Sequence, residues 1–197
     1  MGQINLKKII HIIFRNPIEG FELFLIYDKY KLVYLFPVLF GIVSGINRSL
    51  SKVRTQNLVY LVRHSLISAC LIIVFVILYC FVYAKIVLFI SHLLKGLSNL
   101  KMTFSLVMYS LFPMIIGTTL ILVFQLILYF NDIQPQSLGF INVLIYGFYL
   151  VFILWSLYIL VTGNALINEF STLKSFLSSV GIAVVMIAVV IIVKMKH

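Results

Sequence analysis

The 197-residue chain holds five acids, four histidines and two cysteines, the side chains best suited to proton transfer, metal binding or nucleophilic attack. Their spacing supports none of these. His11, His64, His92 and His197 are scattered, with no His-x-x-x-His pair and no cysteine at ligand spacing, so there is no metal signature. Cys70 and Cys80 share one apolar run, and on one helix they would stand ~15 Å apart, too far for a disulfide. Glu19, Glu22 and Asp28 read as a solvated helix face, while Asp132 and Glu169 stand alone. No nucleophile has a base nearby, and no glycine-rich phosphate loop occurs. The expectation is a protein that is not an enzyme and takes no cofactor and no metal.

The polar residues inside apolar stretches are a different matter. Lys85, His92, Gln125, Asn142 and Asn164 interrupt long apolar runs, and such residues mark function in membrane proteins. Gln125 needs a partner, and an interhelical hydrogen bond is expected. Lys85 is expected to snorkel to an interface. A path lined by Tyr109, Ser110, Gln125 and Asn142, opened by a kink at Pro113, is the transport alternative. The uncharged stretches hold no acid, which weighs against proton coupling.

These residues must be positioned by membrane-spanning helices. The chain is 63% hydrophobic and 10% charged, against about 45–50% and 25% for soluble domains. The expected fold is all-α, a polytopic transmembrane helical bundle. Five apolar runs are visible, at about 32–46, 65–94, 102–130, 138–163 and 175–193. The first, of about 22 Å, is short for a ~30 Å hydrocarbon core. It carries Gly41 and Gly45, a small-residue face that lets another helix approach. A basic connection carrying Arg48, Lys52, Arg54 and Arg63 is expected over 47–64, and a glycine turn at Gly96. The third run holds Pro113 and should kink. Continuous rather than alternating hydrophobicity excludes a β-barrel. No period of 20–50 residues repeats.

Net charge is +10, but the basic residues sit beside apolar runs, where they meet lipid headgroups rather than nucleic acid. With five crossings, eight Lys and Arg fall on the N-terminal side against six on the other, leaving Lys85 aside. That bias votes for a cytoplasmic N-terminus. No signal peptide is expected, because His11 and Arg15 break the apolar cluster, and Leu6 breaks the myristoylation pattern that Met-Gly begins.

The spacing predicts an amphipathic helix over residues 3–15. Lys7, Lys8, His11 and Arg15 share one face, opposite Leu6, Ile9, Ile10 and Ile13. That pattern suits an interfacial helix on anionic lipid. Asn16 then caps a new helix, with Pro17 at its first position and Glu19 reaching back to the cap. The chain thus divides into an interfacial segment, 1–31, and a transmembrane domain, 32–197.

Three stretches together resemble the Yip-domain membrane proteins, named for Ypt/Rab-interacting proteins. They are Ile13-Phe14-Arg15-Asn16-Pro17 with Phe21, then Gly96 with Tyr109-Ser110-Leu111-Phe112-Pro113, and Trp155-Ser156-Leu157 with Gly163 and Phe170-Ser171-Thr172-Leu173-Lys174. Leu97 replaces the second glycine often found in the turn, and the acidic Asp-Leu-Tyr-Gly-Pro motif and long polar N-terminus of the eukaryotic members are missing. The resemblance implies a prokaryotic-type member in a bacterial cytoplasmic membrane, without Rab binding. Anionic lipid is the expected partner, with a second copy or another membrane protein left open. Non-enzymatic organisation of lipid or partner proteins is the expected role, and a small transporter or lipid translocator the alternative.

Overall fold

The computed structural model describes residues 12, 15–26, 33–52, 58–131 and 139–181. The helices among them are α1 (Pro17–Ile26), α2 (Leu35–Lys52), α3 (Leu58–Leu93), α4 (Leu100–Tyr109), α5 (Phe112–Phe130), α6 (Gly139–Asn168) and α7 (Thr172–Ser179). No strand occurs among the described residues. Three helical stretches are long and apolar enough to cross a bilayer: Val59–Leu93, Leu100–Phe130 and Gly147–Asn168. They are the second, third and fourth expected runs. The first run is the shorter apolar helix Leu35–Ser51. The fifth opens with α7, and its residues beyond 181 lie outside the described part.

The first connection is shorter than expected. α2 continues to Lys52 and α3 begins at Leu58, because the polar residues there find partners without leaving the helix. The Ser49 hydroxyl donates to the Gly45 carbonyl at 2.9 Å, and Ser51 donates to the Arg48 carbonyl at 2.9 Å. At 18 residues α2 is about 27 Å long, closer to a full crossing.

Helix α3, with 36 residues, is about 54 Å long, more than a bilayer core needs. Arg63 and Lys85, both exposed, bracket about 33 Å of it. Leu66, Leu71, Phe75 and Leu78 between them are exposed and form the lipid-facing stripe. Lys85 is exposed at one end of this stretch.

The chain groups into two compact units. One contains residues 31–81 and 108–156. In it α2 packs against α5, and the Asn47 amide donates to the Thr118 carbonyl at 2.9 Å. A Cβ on Gly45 would stand 2.6 Å from the backbone of Ala69 on α3, and one on Gly41 would collide with Ile73. The small-residue face therefore meets α3 at backbone distance. The other unit contains residues 1–30, 82–107 and 157–197. There Gly163 on α6 accommodates the Leu106 side chain of α4.

The third run breaks as its proline dictates. Pro113 has no N–H for the carbonyl of Tyr109, so α4 stops at Tyr109 and α5 restarts with Pro113 in its first turn.

The helices repeat. Leu35-Phe36-Pro37 starts α2, and Leu111-Phe112-Pro113 starts α5 76 residues later, with Gly41 and Gly117 following at the same spacing. Pro37 and Pro113 are both fully buried. The equivalent rings of Phe36 and Phe112 touch, with centroids 5.9 Å apart. α3 and α6 also end alike. The Gly96 N–H reaches the Ser91 carbonyl at 2.8 Å, and the Phe170 N–H reaches the Ala165 carbonyl at 2.9 Å. Lys95 and Glu169, with φ of 67° and 55°, take the left-handed position of this helix-ending motif. Ser98-Asn99-Leu100-Lys101 and Ser171-Thr172-Leu173-Lys174 then begin α4 and α7. A period of this length lies outside the 20–50 residues of common repeats.

Candidate functional site

Polar side chains gather at His64, which meets Ser49 Oγ at 2.8 Å and Ser68 Oγ at 3.5 Å, and in two further places, each within one unit. The first of these two is a buried network around Asn168 at the end of α6. Its Oδ1 accepts the Ser98 N–H at 3.0 Å, and its Nδ2 donates to Asn164 Oδ1 at 2.8 Å. Asn164 Nδ2 donates onward to Ser178 Oγ at 2.7 Å, and Ser178 Oγ donates to the Ser175 carbonyl at 3.0 Å. Ser175 Oγ donates to the Val161 carbonyl. On the other side Thr103 Oγ1 donates to Ser98 Oγ at 3.2 Å, and His92 Nε2–H donates to the Ser98 carbonyl at 3.0 Å. Asn164 and Asn168 are 0% and 2% exposed, so their amides depend on these partners.

All the buried members are neutral, and the exposed His92 is the one titratable member. This arrangement ties the Gly96 turn and α7 to the end of α6. It explains Gly96 as well: the left-handed residue is Lys95, and the missing Cβ of Gly96 makes room for Asn168 and Phe170.

The second place is the α4–α5 break. Tyr109 is fully buried and meets Phe36 edge-on at 5.7 Å. Phe112 packs edge-on against Trp155 at 6.4 Å. The Ser156 hydroxyl donates to the carbonyl of Ser110, at the point where α4 has ended. A neighbouring helix thus supplies a donor at the break.

Beside the break, α5 and α6 part to leave a cleft of about 150 Å³. Leu120, Ile121 and Phe124 face Ile145, Phe148 and Phe152 across it. Its lining is apolar and holds no acid, base or amide.

A family model described as the Yip1 domain matches residues 12–193. The chain belongs to the Yip1-domain family. It is an integral, multi-pass membrane protein. Neither a curated protein nor a solved structure shows significant similarity to it. Of the residues on which the resemblance was read, Gly96, Tyr109, Ser110, Pro113, Trp155 and Ser156 fall on the two buried features just described. Gly96 makes room for the polar network, and Gly163, in the same unit, for Leu106. Tyr109, Ser110, Pro113, Trp155 and Ser156 build the break.

Other expected sites fare differently. Pro17 opens α1, and the Asn16 amide donates to Glu19 Oε1 at 2.7 Å. The expected reach of Glu19 to the Asn16 N–H is replaced, because the Ile12 carbonyl already takes that N–H at 2.7 Å. Ser171 occupies the N-cap of α7, but its hydroxyl makes no cap bond, and Lys174 is exposed. The Oε1 of Gln125 is buried with no hydrogen-bond partner among the described residues. Asn142 lies on α6, and its side chain is outside the described part. Leu6, Lys7, Lys8, Ile9, Ile10 and Ile13 also lie outside it, while Arg15 is exposed. The network itself was legible only as an Asn164/Asn168 pair at helical i,i+4 spacing.

Proposed function

We propose that this Yip1-domain protein is a non-enzymatic organiser of membrane lipid, with its N-terminal amphipathic segment as an interfacial wedge. The observation that carries the reading is the pairing of buried Asn164, Asn168 and Ser178 with one another and with backbone, beneath an apolar, lipid-facing exterior. Side chains committed in this way hold a bundle together. Leu6, Ile9, Ile10 and Ile13 would enter the acyl boundary, with Lys7, Lys8 and Arg15 at anionic headgroups. The basic bias favours a cytoplasmic N-terminus, and we assign the protein to a bacterial cytoplasmic membrane on the family resemblance.

Full-length protein reconstituted into vesicles tests this reading. With anionic lipid, wild-type protein should yield smaller, more curved vesicles than Lys7→Gln/Lys8→Gln/Arg15→Gln. Equal vesicle size for the two proteins would remove the wedge. A second reading, a small transporter or lipid translocator, is favoured by one observation, the unpartnered buried Oε1 of Gln125 in the third span. Loss of solute or lipid transfer in Gln125→Leu, with vesicle shape unchanged, would select it.

A further inference from the structure

The 76-residue repeat allows the α5–α6 contact to be compared with its counterpart, α2–α3. In the α2–α3 copy, Gly45 meets Ala69 at backbone distance and the two helices close. Gly41 meets Ile73 and Gly117 meets Tyr149, both pairs 76 residues apart, so along this contact the equivalents of Gly45 and Ala69 are Ile121 and Ile145. Two bulky β-branched residues replace the smallest pair, and both line the cleft. The exchange continues around it: Phe124, Phe148 and Phe152 stand where the first copy has Arg48, Ile72 and Val76. At Gly117 α5 still meets Phe152 and Tyr149 of α6, with a Cβ there only 2.7–3.0 Å from their rings, so the contact opens only around Ile121 and Ile145, where the first copy closes on Gly45 and Ala69.

We propose that this cleft binds an acyl chain of a bilayer lipid. It is bordered by two of the membrane-crossing stretches. Leu120 and Phe148, on opposite walls, are 50% and 67% exposed, so the cleft is continuous with the lipid-facing surface. Its volume of about 150 Å³ and its lining of Leu, Ile and Phe, with Gly117 and Tyr149, offer apolar and aromatic contact to an apolar guest. Lipid gains nothing from hydrophobicity by leaving other lipid, so the selectivity of the cleft comes from shape and aromatic contact. The proposal rests on the protein's membrane location and not on the N-terminal wedge.

Trp155, the only tryptophan in the chain, packs on Phe152 with ring centroids 6.4 Å apart and therefore reports on the cleft. In vesicles of dibrominated phosphatidylcholine, full-length wild-type protein should show strong quenching of Trp155. Leu120→Phe and Ile145→Phe, which fill the cleft, should lose most of that quenching, and unchanged quenching in either folded variant overturns the proposal. Photocrosslinking of wild-type protein with a phosphatidylcholine carrying an acyl-chain diazirine serves if both variants misfold. Crosslinks should concentrate on residues 120–124 and 145–152 over the α3 stripe at Leu71, Phe75 and Leu78. Even labelling of both regions overturns the proposal. Neither readout involves residues 1–16, so the wedge and the cleft fail separately.

Discussion

Single side chains differ in this protein by how many partners depend on them. Asn168 serves three groups at once: the Ser98 N–H, the Asn164 carbonyl and the Asn164 amide oxygen. Asn168→Ala leaves a buried N–H and amide oxygen unmet and should cost about 1–3 kcal/mol. Ser156 serves one carbonyl, that of Ser110. Ser156→Ala should cost about 0.6 kcal/mol, the mean for interhelical hydrogen bonds in a membrane. Denaturation in detergent should rank Asn168→Ala well below Ser156→Ala, and equal stability would refute the central place of Asn168. At this scale the sequence supplied the types but not the pairing. Asn164 was visible as an amide in an apolar run, whereas Ser98 lies 70 residues from Asn168, and only the fold joins them.

Helix contacts here are set by the smallest residues. Gly45 meets Ala69 backbone at 2.6 Å from the position of a Cβ, whereas Gly147 on α6 has nothing within 4 Å. Gly45→Leu must force α2 off α3 and should cost about 3 kcal/mol, at the upper end for overpacking. Gly147→Ala adds a methyl to open space and should stabilise α6 by up to about 1 kcal/mol through helix propensity. Thermal unfolding of the two variants checks both signs. The Gly41/Gly45 face and the Pro113 kink could both be read from the sequence, since a missing side chain and a missing N–H act locally. The extension of α2 to Lys52 could not, because it depends on where the polar residues after Gly45 find their partners.

For the whole chain, the repeat constrains topology. α2 and α5 begin alike, as do α4 and α7, and with one crossing between α2 and the third run, equivalent helices run in the same direction. Cysteines introduced at positions 55 and 134, in a protein lacking Cys70 and Cys80, should then be labelled from the same side, opposite the N-terminus. Labelling from different sides would break both the five-crossing arrangement and the parallel repeat.

The sequence by itself determined the solvent. Its apolar runs leave a bilayer as the medium, and proline, glycine and the scarcity of charge dictate helices, a kink and one close-packing face. These are consequences of residue type along the chain. The tertiary structure decided which polar groups pair, since hydrogen bonds between Ser98 and Asn168 or Ser110 and Ser156 depend on distances in space. It also decided that one copy of a repeated helix pair closes on Gly45 and Ala69, while the other stands open around Ile121 and Ile145. Side-chain volume sets that difference, and it acts only once two helices have been brought face to face.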